Sequence, residues 1–272
     1  MNIYHWYSEE TAYKVFLIVC LLSHPLSALA ATVYVSSESE AQAALDGALP
    51  GDVIIVKNGD CADFTLVLDR SGTAEASIIL RAESGGRVSL TDQSGFHVRG
   101  SYLKIDGFVF REVIKFSDTI IRIIRFDGAH HNEVVNCALY RCGFDEWAHI
   151  ILLTRGSTHN QIHHNYLENI RGQGIGVRGE ADNTDNHVHH NWINGTQSDG
   201  EANGQEPIQI GQSCTHFSNV LNTVVEYNLI ENMDGDADSE LIFNTSDRVN
   251  VFQYGTNQDD NRSAVEASGR SG

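Results

Sequence analysis

Four segments of this chain share one pattern, an Asn set among alternating apolar residues and closed by a polar or Gly corner. They read HHNEVVNCALYRCG from His130, THNQIHHNYLENIRG from Thr158, TDNHVHHNWINGTQ from Thr184 and LNTVVEYNLIENMDG from Leu221. Aligned on Asn136, Asn165, Asn191 and Asn228, they are 29, 26 and 37 residues apart. A repeat of this length marks a unit that cannot bury its apolar face alone and must stack on its neighbours. Each segment has two or three short stretches of period-2 alternation, and the last three are followed by another: GIGVRG, PIQIGQS or ELIFNTS. Short strands with polar corners predict one coil of a right-handed parallel β-helix. One Asn per coil predicts a ladder of side-chain amides that satisfies turn groups otherwise buried without partners. A β-sandwich also alternates, but it gives no reason for Asn to recur at one place.

No stretch after Gly51 carries a sustained 3.6-residue apolar stripe. Upstream, SESEAQAALDGALPGDVIIV predicts a short amphipathic helix, a Pro50-Gly51 turn and a strand Val53–Val56. A helix at that point would cap the open end of a solenoid and cover its first edge. The stretches ASIILRAES, RVSLTDQ, FHVRG and YLKIDGFVF then begin the coils. SAVEASGRSG, at the other end, is polar and Gly-rich, which predicts a solenoid cut short at its C-terminus.

Residues 1–30 read as a signal peptide: Lys14, the apolar run Val15–Leu22, then Ser27-Ala28-Leu29-Ala30 with small residues at a cleavage position. The run is short of the roughly 20 residues that a bilayer requires. The expected product is residues 31–272, one secreted domain, extracellular or periplasmic, without a membrane anchor. It keeps 17 basic against 34 acidic residues. That balance excludes a nucleic-acid partner, which needs Lys and Arg against phosphates. On an acidic polymer such a protein would be repelled, and a bound cation is the simplest local remedy. Cys61, Cys137, Cys142 and Cys214 match no zinc spacing, and both disulfides and buried thiols are open to them.

The run from Thr32 to Phe110, with LPGDVIIVKNG, ASIILRAESGG and YLKIDGFVF, resembles the opening of the alginate lyase and chondroitinase B family, polysaccharide lyase family six. THNQIHHNYLENI and NHVHHNWING are similar to its coils, and NGQEPIQIGQS with VLNTVVEYNLIENMDGDADSELIFNTS is similar to its active-site block. The resemblance implies a calcium-dependent lyase that cleaves a uronate polymer, alginate first, by β-elimination. It places calcium on Asn203, Asp238 and Glu240, with Asp236 as the substitute acid in a shifted loop. Asp238 and Glu240 are alternate residues that would share one face of a strand, and all three donors are oxygens, as Ca²⁺ requires.

One departure is plain. The family's Glu-Ile-Ile-Ser-Asn-Lys-Ser appears here as Glu240-Leu241-Ile242-Phe243-Asn244-Thr245-Ser246, so Thr245 stands where the Lys base belongs. The chain's four lysines, Lys14, Lys57, Lys104 and Lys115, all lie elsewhere. The resemblance implies Arg270 as the family's catalytic Arg. A lyase-like β-helix that binds acidic polysaccharide without cleaving it is therefore the alternative, and a carboxylate hydrolase is a third reading, poorly served by Asp238 and Glu240.

Arg155, Arg171 and Arg178 lie at or near strand ends and suit bidentate contact with uronate carboxylates, or pairing with the chain's own acids. Trp147 and Trp192 suit stacking on sugar rings or filling of a wall. The doublets His130-His131, His163-His164 and His189-His190 recur with the repeat, which predicts rings stacked at coil corners rather than one metal site.

Overall fold

The computed structural model describes residues 29–113, 122–143, 149–178, 182–196, 206–211, 220–233, 241–244, 251–254 and 265–267. Residues from Ala31 onward form one compact unit. No helix among the described residues is long and apolar enough to cross a membrane.

The chain coils through three walls in a fixed order, and each wall is a parallel sheet built from successive coils. The first wall runs from Thr32–Val35 and Val53–Val56 through Leu103–Asp106, Glu133–Val135, Gln161–His163 and His187–His189 to Val224–Met233. The second contains Val88–Thr91, Val109–Arg111, Ala138–Tyr140, Tyr166–Ile170 and Trp192–Thr196, and joins the first at Val224–Met233. The third contains Thr65–Leu68, Gly95–Val98, Arg122–Asp127, His149–Thr154, Gln173–Val177, Ile208–Gly211, Leu241–Asn244 and Val265–Ala267. This is the expected parallel β-helix.

Register stacks like on like. Ile54, Leu80, Ile105, Val134, Ile162, Val188 and Val225 form one inward column of the first wall. Leu90, Phe110, Leu139, Leu167, Ile193 and Ile230 do the same in the second. Phe96, Ile124, Ile151, Ile175 and Ile208 do so in the third. All of these belong to one buried cluster. Side chains alternate across a strand, so every coil sends one file of apolar residues inward and one file outward. The outward file is where function can reside.

The capping helix spans Glu38–Gly47, with Ser37 as N-cap accepting the Glu40 N–H. Ala41 and Leu45 are its buried face. Gln42 closes the sheet edge in place of a strand: its amide donates to the Val67 carbonyl at 2.9 Å and accepts the Val67 N–H at 2.9 Å. An exposed edge would otherwise offer unpaired backbone to another chain.

The amide ladder exists, with its register corrected by one residue. Asn165 accepts the Cys137 N–H, Asn191 accepts the Asn165 N–H and Asn228 accepts the Asn191 N–H, at 3.0–3.1 Å. Cys137, not Asn136, occupies the equivalent position in the earliest coil. Asn136 sits one place before, in the left-handed region at φ 54, where His164, His190 and Tyr227 follow it. A second ladder, which the sequence reading missed, lines the corner between the third and first walls. There Asn132 accepts the Leu103 N–H, Asn160 that of Asn132, and Asn186 that of Asn160.

The His doublets stack, but in two corners rather than one. His131 lies between Tyr102 and His159, with ring centroids at 4.7 and 4.6 Å, at the entry to the first wall. His163 stacks on His189 at 4.7 Å and His164 on His190 at 5.1 Å, at the exit from it. Cys61, Cys137 and Cys142 are free thiols. Burial pushes Cys137 and Cys142 up to about 12, which keeps both protonated and inert at neutral pH.

Candidate active site

The third wall gathers cations on its outer face. His97, Arg125, Leu152, Gly176 and Gln209 are successive partners in one outward column. Beside it stands Asp127, and three groups converge on a single oxygen of that carboxylate. Arg125 lies at 3.1 Å from Asp127 Oδ2, Arg155 at 3.2 Å and His97 Nε2 at 3.2 Å. Two guanidiniums against one carboxylate leave a net positive site, and the Arg155 side chain is still 69% exposed. In a protein of net charge −18, such a concentration on one wall favours an anionic ligand.

Arg178 stands where the third-wall strand Gln173–Val177 ends. Its Nη1 donates to Gln209 Oε1 at 2.9 Å and reaches His149 Nε2 at 3.1 Å and Gln173 Oε1 at 3.3 Å. None of these three partners is a carboxylate, and the acid that faces Arg178 is the neighbouring Glu206. The cluster depends on Gly176, because a Cβ there would meet the His149 ring at 2.9 Å. Gln209 is an outward residue of the neighbouring strand Ile208–Gly211. An acceptor at that place receives Arg178, whereas a second guanidinium would repel it.

Glu206 completes the group. Its carbonyl accepts the Gly174 N–H at 2.9 Å, and its carboxyl is buried with Oε2 lacking a partner. Burial pushes that carboxyl up to about 7, against the downward pull of its own N–H, the Gln173 amide and Arg178. A carboxyl raised above its unfolded value stabilises the fold below that value, and the contribution is lost as pH rises through the folded pKa. With a chelator present, the urea midpoint of the parent should fall between about pH 5 and about pH 8 more steeply than that of Glu206→Gln. Equal slopes would remove Glu206 from the account.

Of the residues singled out from sequence, Arg155 and Arg178 lie on this wall. Arg171 belongs to the turn after the second-wall strand Tyr166–Ile170, and Trp192 is on the second wall, 43% exposed, its Nε1 donating to Glu231 at 2.8 Å. Asn203, Asp236, Asp238, Glu240, Thr245, Arg270 and Trp147 lie outside the described residues. The strands that follow Asn203 and Glu240 are neighbours in the third wall, with Gln209 opposite Ile242. Sequence reasoning missed Asp127, His149 and Glu206; Gly176 in GIGVRG, a glycine inside a strand, was the available signal of a close approach.

The chondroitinase B family model matches residues 35–263. The chain belongs to that family. It is polysaccharide lyase family six, and among the curated proteins none matches the sequence. Three solved family-six lyases illustrate the likeness in fold. The alginate lyase AlyGC is 24% identical, with a TM-score of 0.61 over 74% of this chain and 30% of its own. A mannuronic acid specific lyase from human gut microbiota is 21% identical, with a TM-score of 0.60 over 81% of this chain and 51% of its own. An alginate lyase in complex with a trisaccharide is 17% identical, with a TM-score of 0.58 over 82% of this chain and 48% of its own. This family member thus spans about a third to a half of the length of these relatives.

Proposed function

We propose that this protein is an exported polysaccharide lyase that cleaves a uronate polymer, alginate foremost, by β-elimination. The carrying observation is the cationic third wall: Arg125 and Arg155 around Asp127, and Arg178 held by Gln209, His149 and Gln173. Arg presents a planar fork that matches a carboxylate bidentately, and successive coils would offer successive uronates one such group after another. The exported state rests on residues 1–30 read as a leader.

In β-elimination the proton at C5, beside the carboxylate, is removed and the C4–O bond breaks to leave a C4=C5 double bond. Asn203, Asp238 and Glu240 would hold calcium, an all-oxygen donor set on segments that feed neighbouring strands. The unpartnered buried oxygen of Glu206, three residues from Asn203, suits the same cation-seeking environment. A bound Ca²⁺ would withdraw charge from the substrate carboxylate and so acidify C5. Arg178 and Arg155 would bind and orient the flanking carboxylates. Thr245, in the place of the family's Lys, favours a second reading, a β-helix that binds the polymer and turns it over slowly or not at all.

Incubation with alginate and Ca²⁺, followed by the ultraviolet absorbance of the unsaturated uronate, separates the two. A rise supports the lyase; retained binding without a rise supports the second reading, and reducing ends without absorbance would overturn both. Arg178→Ala should lower kcat/KM, or polymer affinity if turnover is absent, by about 10- to 100-fold, since charge-assisted hydrogen bonds contribute roughly 1.5–3 kcal/mol each.

A further inference from the structure

Two imidazole pairs at the corner between the first and second walls have chemistry that the polysaccharide reading does not use. His163 and His189 each end a first-wall strand, and His164 and His190 follow at φ 53. Neighbouring side chains on a strand point to opposite faces, but the left-handed corner turns the second ring back beside the first. Nδ1 of His163 thus lies 2.8 Å from Nδ1 of His164, and Nδ1 of His189 lies 2.9 Å from that of His190. The same arrangement recurs in adjacent coils, with interplanar angles of 8° and 1° between the stacked rings. His164 and His190 are exposed, so both pairs are open to solvent.

Hydrogen bonding prepares the donors. His163 Nε2 lies 2.9 Å from Glu133 Oε1, which also receives Lys104 Nζ at 2.9 Å. The carboxylate fixes the ring proton on Nε2 and leaves the Nδ1 lone pair facing His164. A carboxylate behind an imidazole is the arrangement by which metal-ligating histidines are oriented and made more basic. In the adjacent coil His189 Nε2 is buried without a partner, and the neighbouring His187, its ring centroid 4.0 Å away, is held by Glu226 at 2.9 Å.

We propose that His163 with His164, and His189 with His190, are two chelating sites for a divalent transition metal of the Cu²⁺ or Ni²⁺ class, each bound through paired Nδ1 atoms. With metal–nitrogen bonds of about 2.0–2.1 Å, ligands at a right angle are about 2.9 Å apart, and tetrahedral ones about 3.4 Å. The observed 2.8 and 2.9 Å match the right angle, which tetragonal Cu²⁺ and Ni²⁺ favour. No three His, Cys, Asp or Glu side chains among the described residues form a metal-holding group, so each pair supplies two donors and water supplies the others. Metal takes the place of the proton between the two Nδ1 atoms, and the ring that carried it there goes over to its Nε2–H tautomer through solvent, so that both rings remain neutral and each offers an Nδ1 lone pair. Calcium prefers oxygen donors, so these sites are chemically separate from the one proposed beside the third wall.

The test is a CuCl₂ titration of the full chain in Ca²⁺ buffer, followed by calorimetry and electron paramagnetic resonance. The parent should bind with splitting from two nitrogens per ion. His164→Ala and His190→Ala should each weaken one site at least about tenfold, and the double variant should lose the nitrogen-coordinated signal with its circular dichroism unchanged. Glu133→Gln keeps both rings and should weaken the His163 site by about 10- to 100-fold, a readout that stands even if the double variant fails to fold. Copper bound without nitrogen splitting, or with unchanged affinity in Glu133→Gln and the folded double variant, overturns the proposal.

Discussion

Replacing Thr245 by Lys should raise the rate of unsaturated-uronate formation by roughly 100- to 10,000-fold, the range over which a positioned general base acts. A Thr hydroxyl cannot accept a proton at neutral pH unless another group first removes its own. A Lys amine can, if neighbouring cations lower its pKa toward the working pH. Arg178 bonds to Gln209 on the strand that pairs with Leu241–Asn244, the stretch just before position 245 in sequence. The gain should appear in kcat and leave KM nearly unchanged, since the base acts on the transition state. A variant that binds alginate but stays inactive would show that more than one catalytic group has been lost, and would favour the binding protein.

The largest stability effect should come from Asn165→Leu, at about 3–5 kcal/mol in urea unfolding. Asn165 is buried and spans three coils. Its Oδ1 accepts the Cys137 N–H, its Nδ2 donates to the Val134 carbonyl and to Asn191 Oδ1, and its own N–H is accepted by Asn191. Removal leaves the Cys137 N–H and the Val134 carbonyl buried and unmade, at roughly 1–3 kcal/mol each, and breaks the contact to Asn191. Asn136→Gly is the control. Asn136 is exposed at φ 54, a conformation glycine adopts freely, so its change should stay within about 0.5 kcal/mol. Comparable losses in the two variants would mean that the ladder does not run through Asn165.

These two asparagines show what was legible. The recurring Asn in NYLENI, NWINGT and NLIENM announced a coil with a satisfied corner, and that sufficed for the fold. It did not reveal that the earliest coil puts Cys137 in the ladder, because an alignment on residue type absorbs a one-residue slip that backbone pairing does not. The second ladder, Asn132, Asn160 and Asn186, is the Asn of HHN, THN and TDN, but it recurs with the same period as the first and so adds no separate signal. At the candidate site, Arg155 and Arg178 were legible as cations at strand ends. Asp127 and His149 were not, since an isolated Asp or His carries no pattern until its neighbours in space are known.

Sequence alone determined the coil: alternation fixes which residues face inward, and a period near one coil length forces each unit to stack on the next. Tertiary structure decided which outward residues meet. His97, Arg125, Asp127 and Arg155 come from three consecutive coils, and whether they share one carboxylate oxygen depends on loop lengths and register between those coils. Local residue order constrains neither, because a contact between coils is set by the summed path of the chain around three walls.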